Sequence, residues 1–155
     1  TTDLGSTSFR YADVYATNLN GLAISALYAD MAERFESDAI YSPGTVVELG
    51  GAEEITKVVD DLSDRVFGVI STKAGFLLNG GAGTNDTHPP IAMAGRVPVN
   101  VIGIVHKGDR LVSAGDGYAR AAAPGEASSF NVIGRSLEDK FNEVKGSVLA
   151  VVKIQ

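Results

Sequence analysis

From residue 40 onward, short apolar runs alternate with glycine-containing breaks, and this pattern predicts a mainly β chain. The runs are Thr45–Leu49, Glu54–Val58, Val66–Ser71, Phe76–Leu78, Ile91–Ala94, Val97–Val105, Arg110–Ser113, Tyr118–Ala121, Val132–Ser136 and Ser147–Ile154. Pro43-Gly44, Gly50-Gly51, Asn79-Gly80-Gly81, Lys107-Gly108-Asp109, Gly115-Asp116-Gly117 and Pro124-Gly125 separate most of them. Many short strands without interleaved long helices predict a compact, Gly-rich β-sandwich or barrel. Asp60–Asp64 and Leu137–Val144 each have room for a helical turn, and Gly80–Pro90 reads as a loop.

Two upstream regions have a different texture. Residues 1–25 are polar and small, with a short β-type run at Tyr11–Ala16. Their apolar side chains (Leu4, Phe9, Val14, Leu19, Leu22, Ile24) are thinly spread. Such a segment buries too little surface to offset its conformational entropy alone. It is therefore expected to lie extended against the rest of the protein or against copies of itself. Residues 26–36 predict a short amphipathic helix, because Leu27, Met31 and Phe35 recur at i, i+4 and i+8 and Ser25 is placed to cap it. The chain thus divides into an extended segment 1–25, a short helix and linker 26–39, and a β-rich domain 40–155.

Within that domain a block repeats. Pro43-Gly44-Thr45-Val46-Val47-Glu48-Leu49-Gly50-Gly51 aligns with Lys107-Gly108-Asp109-Arg110-Leu111-Val112-Ser113-Ala114-Gly115. Each block leads to a glycine-containing run, Val66–Ser71 in the first and Val132–Ser136 in the second. Each unit reads as turn, strand, hairpin return and Gly-containing strand, and two such units are expected to share one core about a pseudo-two-fold axis.

Composition narrows the function classes. The chain has 155 residues, 45% of them hydrophobic and 21% charged, which suits one globular domain. Without cysteine there are no disulfides, thiolate metal sites or cysteine nucleophile. A net charge of −6 argues against nucleic acid as the main partner. No apolar run approaches the roughly 20 residues of a membrane-spanning helix, so no membrane insertion is expected. The chain opens Thr1-Thr2-Asp3 without methionine, and it is expected to be a piece of something longer.

Candidate chemistry is sparse. Ser136 with Lys140, and Ser71 with Lys73, have spacings from which a Ser–Lys pair can be built. Acids cluster at Glu53-Glu54, Asp60-Asp61-Asp64, Glu33/Glu36/Asp38 and Glu138-Asp139, where a solvated face is the expected reading. Asn85-Asp86 and Asp60–Asp64 offer oxygen ligands for calcium but lack EF-hand spacing. Gly80-Gly81-Ala82-Gly83 lacks the lysine of a phosphate loop. His88 precedes two prolines in a turn, and His106 precedes a Lys-Gly-Asp turn. No catalytic, cofactor-binding or metal-binding residue is assigned from these patterns, and no cofactor is expected. Tyr11, Tyr15, Tyr41 and Tyr118 are candidates for stacking on a sugar.

Two stretches carry a resemblance. Leu4-Gly5-Ser6-Thr7-Ser8-Phe9-Arg10-Tyr11-Ala12-Asp13-Val14-Tyr15-Ala16 resembles an element of bacteriophage tail-fibre and neck-appendage proteins that precedes their C-terminal domains. Tyr28-Ala29-Asp30-Met31-Ala32-Glu33-Arg34-Phe35, followed by Tyr41–Val47, Phe67–Thr72, Gly95–Val99 and Lys107–Val112, is similar to the C-terminal domain itself. In phage neck appendages a similar domain acts as an autoproteolytic intramolecular chaperone. The resemblance implies a structural virion protein: the C-terminal knob of a homotrimeric tail fibre or appendage, touching other virion proteins and a host surface glycan or protein. Its alternative implication is a self-cleaving chaperone that assists trimerisation, although no self-cleavage nucleophile matches residue by residue.

Overall fold

A computed structural model describes residues 4–17 and 29–153. Among the described residues all regular structure is β: β1 (Asp30–Arg34), β2 (Val46–Leu49), β3 (Ile55–Lys57), β4 (Val66–Ile70), β5 (Phe76–Leu78), β6 (Pro90–Val101), β7 (Arg110–Gly115), β8 (Tyr118–Ala121), β9 (Val132–Ser136) and β10 (Gly146–Lys153). The run expected at Ile91–Ala94 and the Val97–Val101 part of the run expected at Val97–Val105 merge into the single long strand β6, with Gly95 inside it at φ 108°, while residues 102–105 lie beyond the strand. Neither Asp60–Asp64 nor Leu137–Val144 is helical.

The strands β6, β10, β9, β7 and β8 close into a small barrel. β10 runs antiparallel to both β6 and β9, β7 pairs β9 and β8, and β8 returns to β6 through Val101 and Ala119. A second, smaller ring lies beside it. There β6 pairs β4 and β1, β4 pairs β2, β2 pairs β3, and Ser37 just beyond β1 bridges Ile55 of β3. The first half of β6 belongs to the second ring and its other half to the barrel. Closure leaves few free edges, which solves the edge problem of a small β domain.

The repeat read from the sequence is real and extends further than the motif. β2, β3 and β4 pair as β7, β8 and β9 do. Val47 opposes Gly68, Leu111 opposes Gly134, and each ladder carries a bulge at the next position. The parallel bridge of Ser37 to Ile55 is matched by that of Val101 to Ala119. At the turns, the Gly44 N–H donates to the Ile70 carbonyl and the Gly108 N–H to the Ser136 carbonyl, both at 2.8 Å. The two copies of the unit are therefore the second ring and the barrel, sharing β6. Both turn glycines are left-handed, φ 86° at Gly44 and 94° at Gly108. Replacing either with valine is expected to cost more than about 1 kcal/mol in urea denaturation. A neutral result at both positions would remove these turns from the folding determinants.

The core follows the same division. Val47, Ile55, Ile70 and Ile91 form one buried cluster with Phe35, Tyr41 and Phe67 against them. The larger cluster fills the barrel with Val97, Val99, Val101, Val105, Leu111, Ala119, Ile133, Val148, Ala150 and Val152, and adds Val46, Val58, Val69 and Ala92 from the neighbouring ring.

Two expectations fail. The helix over 26–36 is not formed: Asp30–Arg34 is strand β1, Ala29, Phe35 and Glu36 are irregular, and residues 26–28 lie outside the described residues. Asp30 and Ala32 point inward while Met31, part of the helical stripe, is exposed. An isolated helix of this length is marginal in water. Here β6 on one side and β5 on the other offer a complete backbone ladder instead. Likewise, Tyr11–Ala16 is not a strand; the described N-terminal residues are bends and irregular chain around a turn in which the Ser6 N–H donates to the Phe9 carbonyl.

Candidate functional site

The sequence-derived candidates separate cleanly on geometry. Ser136 and Lys140 are not a pair. The Ser136 hydroxyl donates to the Glu138 carbonyl at 2.7 Å, and the buried Lys140 ammonium donates to the carbonyls of Gly103 and Asn142 at 2.8 and 2.7 Å. This lysine is structural, tying the 137–145 loop to the end of β6. His88 sits in a loop closed by its own N–H to the Thr84 carbonyl, and its carbonyl accepts from Arg34. His106 lies 3.6 Å from Asp139 with its ring near Phe141. The Tyr41 hydroxyl donates to Asp38, and the Lys145 ammonium sits 4.1 Å from the centre of the Tyr118 ring, so both tyrosines are engaged. Tyr11 and Tyr15 are exposed.

The acids are mostly structural. Asp139 accepts from the Lys107 N–H and Glu138 from the Leu149 N–H. Among the described residues, no group of three histidines or acids is arranged to hold a metal ion. Asp61 and Glu126 share Arg120, whose guanidinium donates from Nε to Asp61 at 2.7 Å and from Nη1 to Glu126 at 2.7 Å. Those hydrogen bonds from Arg120 hold both carboxyls below their ordinary range. A depressed folded-state pKa contributes stability that is present at neutral pH and lost as pH falls through the folded value. The melting temperature is therefore expected to drop on acidification below about pH 4. Arg120→Met should flatten that acid limb; an unchanged pH profile in the variant would assign acid sensitivity elsewhere.

Ser71 stands apart. It follows β4 and is buried, with its N–H donating to the Pro90 carbonyl at 2.8 Å. It lines a pocket of about 360 Å³ with Ala29, Asp30, Thr72, Lys73, Arg96, Val97 and Pro98. Asp30 opens β1 and is fixed there by the antiparallel pairing opposite Gly95 and by the Gly75 N–H donating to its carbonyl. Among the described residues, neither the Asp30 Oδ2 nor the Ser71 Oγ has a hydrogen-bond partner, although both atoms are buried. Leaving such a group unsatisfied costs about 1–3 kcal/mol, so two in one pocket mark a place the fold tolerates for another reason. The sequence paired Ser71 with Lys73 and missed Asp30 and Arg96. Asp30 falls within the helix expected over 26–36, and only the β1–β6 pairing carries it to the end of β4.

The fold itself is comparable with solved structures. The C-terminal fragment of bacteriophage phi29 gene product 12 superposes with a TM-score of 0.56 at 19% identity, covering 81% of this chain and 100% of that one. This is a phage appendage-like fold. The pre-mature form of gene product 12 matches with a TM-score of 0.61 at 17% identity, over 89% of this chain and 23% of that one. The N base of the phi29 head fiber gp8.5 matches more weakly, with a TM-score of 0.45 at 11% identity over 79% of this chain and 92% of that one. No protein-family model and no curated protein sequence matches the chain. The likeness is therefore one of fold, without a sequence relationship close enough to transfer a site.

Proposed function

We propose that this phage appendage-like chain is a structural virion module, the C-terminal knob of a homotrimeric fibre or appendage whose outer surface meets the host. The observation that carries the reading is the leading segment. Leu4, Phe9, Val14 and Tyr15 are all exposed, Phe9 at 80% and Tyr15 at 95%. Among the described residues of a single copy these side chains stand uncovered, and three copies wound together supply the cover. In the same reading residues 1–25 are the trimerising segment, residues 26–39 lead from it into the knob and enter its second ring as β1, and residues 40–155 form the rest of the knob. The exposed Tyr11 and Tyr15 suit a host glycan or neighbouring virion protein. Sedimentation equilibrium of the purified chain tests this: a trimer is expected, and a stable monomer at micromolar concentration overturns it.

A second reading is a self-cleaving chaperone domain, favoured by the Asp30–Ser71 pocket, which adjoins Ala29 where the upstream chain enters. In it the Ser71 Oγ adds to a peptide carbonyl upstream of Ala29, and its proton passes through the Asp30 carboxylate to the departing amine. Water then hydrolyses the resulting ester and frees Ser71. Intact-mass spectrometry of the full-length gene product should show a released fragment that is absent in Ser71→Ala and Asp30→Asn. An unprocessed wild-type chain removes this reading and leaves the structural one standing.

A further inference from the structure

The two copies of the repeat differ in what covers their outer faces. In the second ring, Val46, Val69 and Ala92 form a strip that is 0% exposed, because it packs into the cluster that fills the barrel. The tip of the β7–β8 hairpin closes over the edge of this strip. There the Val46 N–H donates to the Gly117 carbonyl and the Gly117 N–H to the Val58 carbonyl, both at 2.9 Å. The same register applied to the barrel places Arg110 where Val46 stands, Arg135 where Val69 stands and Val151 where Ala92 stands. Ala122 replaces Val58, and its N–H donates to the Arg110 carbonyl just as the Val58 N–H donates to Val46. On the barrel, however, this strip is open. It forms the floor of a groove of about 850 Å³ lined by Lys107, Arg110, Val132, Arg135, Val151 and Lys153 among others. No acidic residue lines that groove, on a chain whose net charge is −6. A smaller hollow beside Arg110 and Ala122, lined by Arg135 and by one acid, Asp109, continues it at the position the hairpin tip occupies in the other ring.

We propose that this basic groove is the seat for a second copy of the chain, which docks head-to-tail by laying the tip of its own β2–β3 hairpin, Gly51–Glu54, across Arg110 and Arg135. The occupant follows from the repeat. Within one chain the barrel's hairpin tip sits on the second ring; the next unit in that series is the second ring of a neighbouring copy, whose equivalent tip is Gly51–Glu54. Charge points the same way. That tip is exposed and carries Glu53 and Glu54, with the exposed Leu49 beside it to meet Val151. Glu54 also accepts the Glu36 N–H at 2.7 Å, which holds the tip in place, while Glu53 faces outward as the acid for Arg110 and Arg135. A head-to-tail contact of this kind is heterologous, and closing it gives a ring in which each copy is donor once and acceptor once. Replacing buried valines with arginines keeps the face soluble until a partner of opposite charge arrives.

The proposal rests on the homotrimer reading and specifies which surfaces close the trimer. The test is sedimentation velocity of the intact chain with four variants: Arg110→Glu/Arg135→Glu, Lys107→Glu/Lys153→Glu, Glu53→Arg, and Arg110→Glu/Arg135→Glu combined with Glu53→Arg. All changed side chains are exposed, and circular dichroism melting verifies that each variant folds. The first three variants are expected to weaken assembly by tenfold or more, and more so at low salt. The last should recover most of the wild-type association, because every interface then pairs reversed charges. Wild-type assembly with unaffected charge-reversal variants overturns this inference while leaving the trimer intact. Charge-reversal variants that weaken assembly without recovery in the combined variant overturn the assignment of Gly51–Glu54 as occupant. A monomeric wild type overturns the trimer reading itself.

Discussion

Gly134→Val is expected to unfold the barrel or to cost at least about 3 kcal/mol, the largest effect of any single substitution considered. Gly134 has no unusual backbone angle; its constraint is proximity. A Cβ built on it would lie 2.2 Å from the Val151 carbonyl oxygen and 3.0 Å from the Val152 Cα. These are backbone atoms of the paired strand β10 and have no rotamer through which to retreat. The same crowding recurs at the repeat-related Gly68, where a Cβ would meet the Ile91 Cγ2 at 2.5 Å and the Ala92 carbonyl oxygen at 2.8 Å. Val151 and Ala92 are themselves repeat-related, so both rings bend a strand over its partner at one point and both need a missing side chain there. Against a total stability of 5–15 kcal/mol, about 3 kcal/mol removes a large share. Urea denaturation followed by circular dichroism measures it. Gly81→Ala, with open space around the added carbon, serves as the control and should stay within about 0.5 kcal/mol. Equal stability of Gly134→Val and wild type would contradict the strand approach described.

Glu48→Ala carries the second largest expected effect, about 2–3 kcal/mol. Glu48 lies in the middle of the apolar run Thr45–Leu49 and is only 2% exposed. Its carboxylate accepts from the Ser63 hydroxyl through Oε2 and from Arg65 Nη2 at 3.1 Å through Oε1. The Ser63 N–H donates in turn to the Ser113 hydroxyl at 2.8 Å, and that hydroxyl donates to the Asp60 carbonyl at 3.0 Å. The network staples the loop between β3 and β4 to strand β7 and so adds a polar tie between the two rings. Truncation to alanine leaves a void and strands the Ser63 hydroxyl. Glu48→Gln retains an acceptor for Ser63 and should lose roughly half as much. Denaturation midpoints of the two variants check the order. A glutamine variant less stable than the alanine variant would show that the network does not hold the loop.

Legibility of the fold varied with the range of the interactions. The β class, the turns at Gly44 and Gly108, and the limits of β5, β8 and β9 follow from local patterns: alternating apolar residues between residues that break the ladder. The repeat was visible because it reuses the same turn, strand and glycine. Segment 26–36 was misread because Leu27, Met31 and Phe35 satisfy helical spacing, whereas its actual partners β5 and β6 lie more than forty residues away in sequence. Nothing local reveals a ladder that distant strands offer. The Ser71 pocket was half legible. Ser71 and Lys73 are close in sequence, but Asp30 and Arg96 reach them only through the antiparallel pairing of β1 with β6.

The β class, the places where the chain turns, the doubled unit and the exclusion of cysteine and thiolate-metal chemistry are all written locally in the amino acids. Those properties live in residue types and in spacings of a few positions. Long-range pairing alone settles that β6 serves both rings, that one outer strip is buried as Val46, Val69 and Ala92 while its twin stands open as Arg110, Arg135 and Val151, and that two buried polar groups line one pocket beside Ala29. Each of these depends on which distant strands pair. Ring closure selects that pairing by satisfying backbone hydrogen bonds and burying apolar area over the whole chain at once.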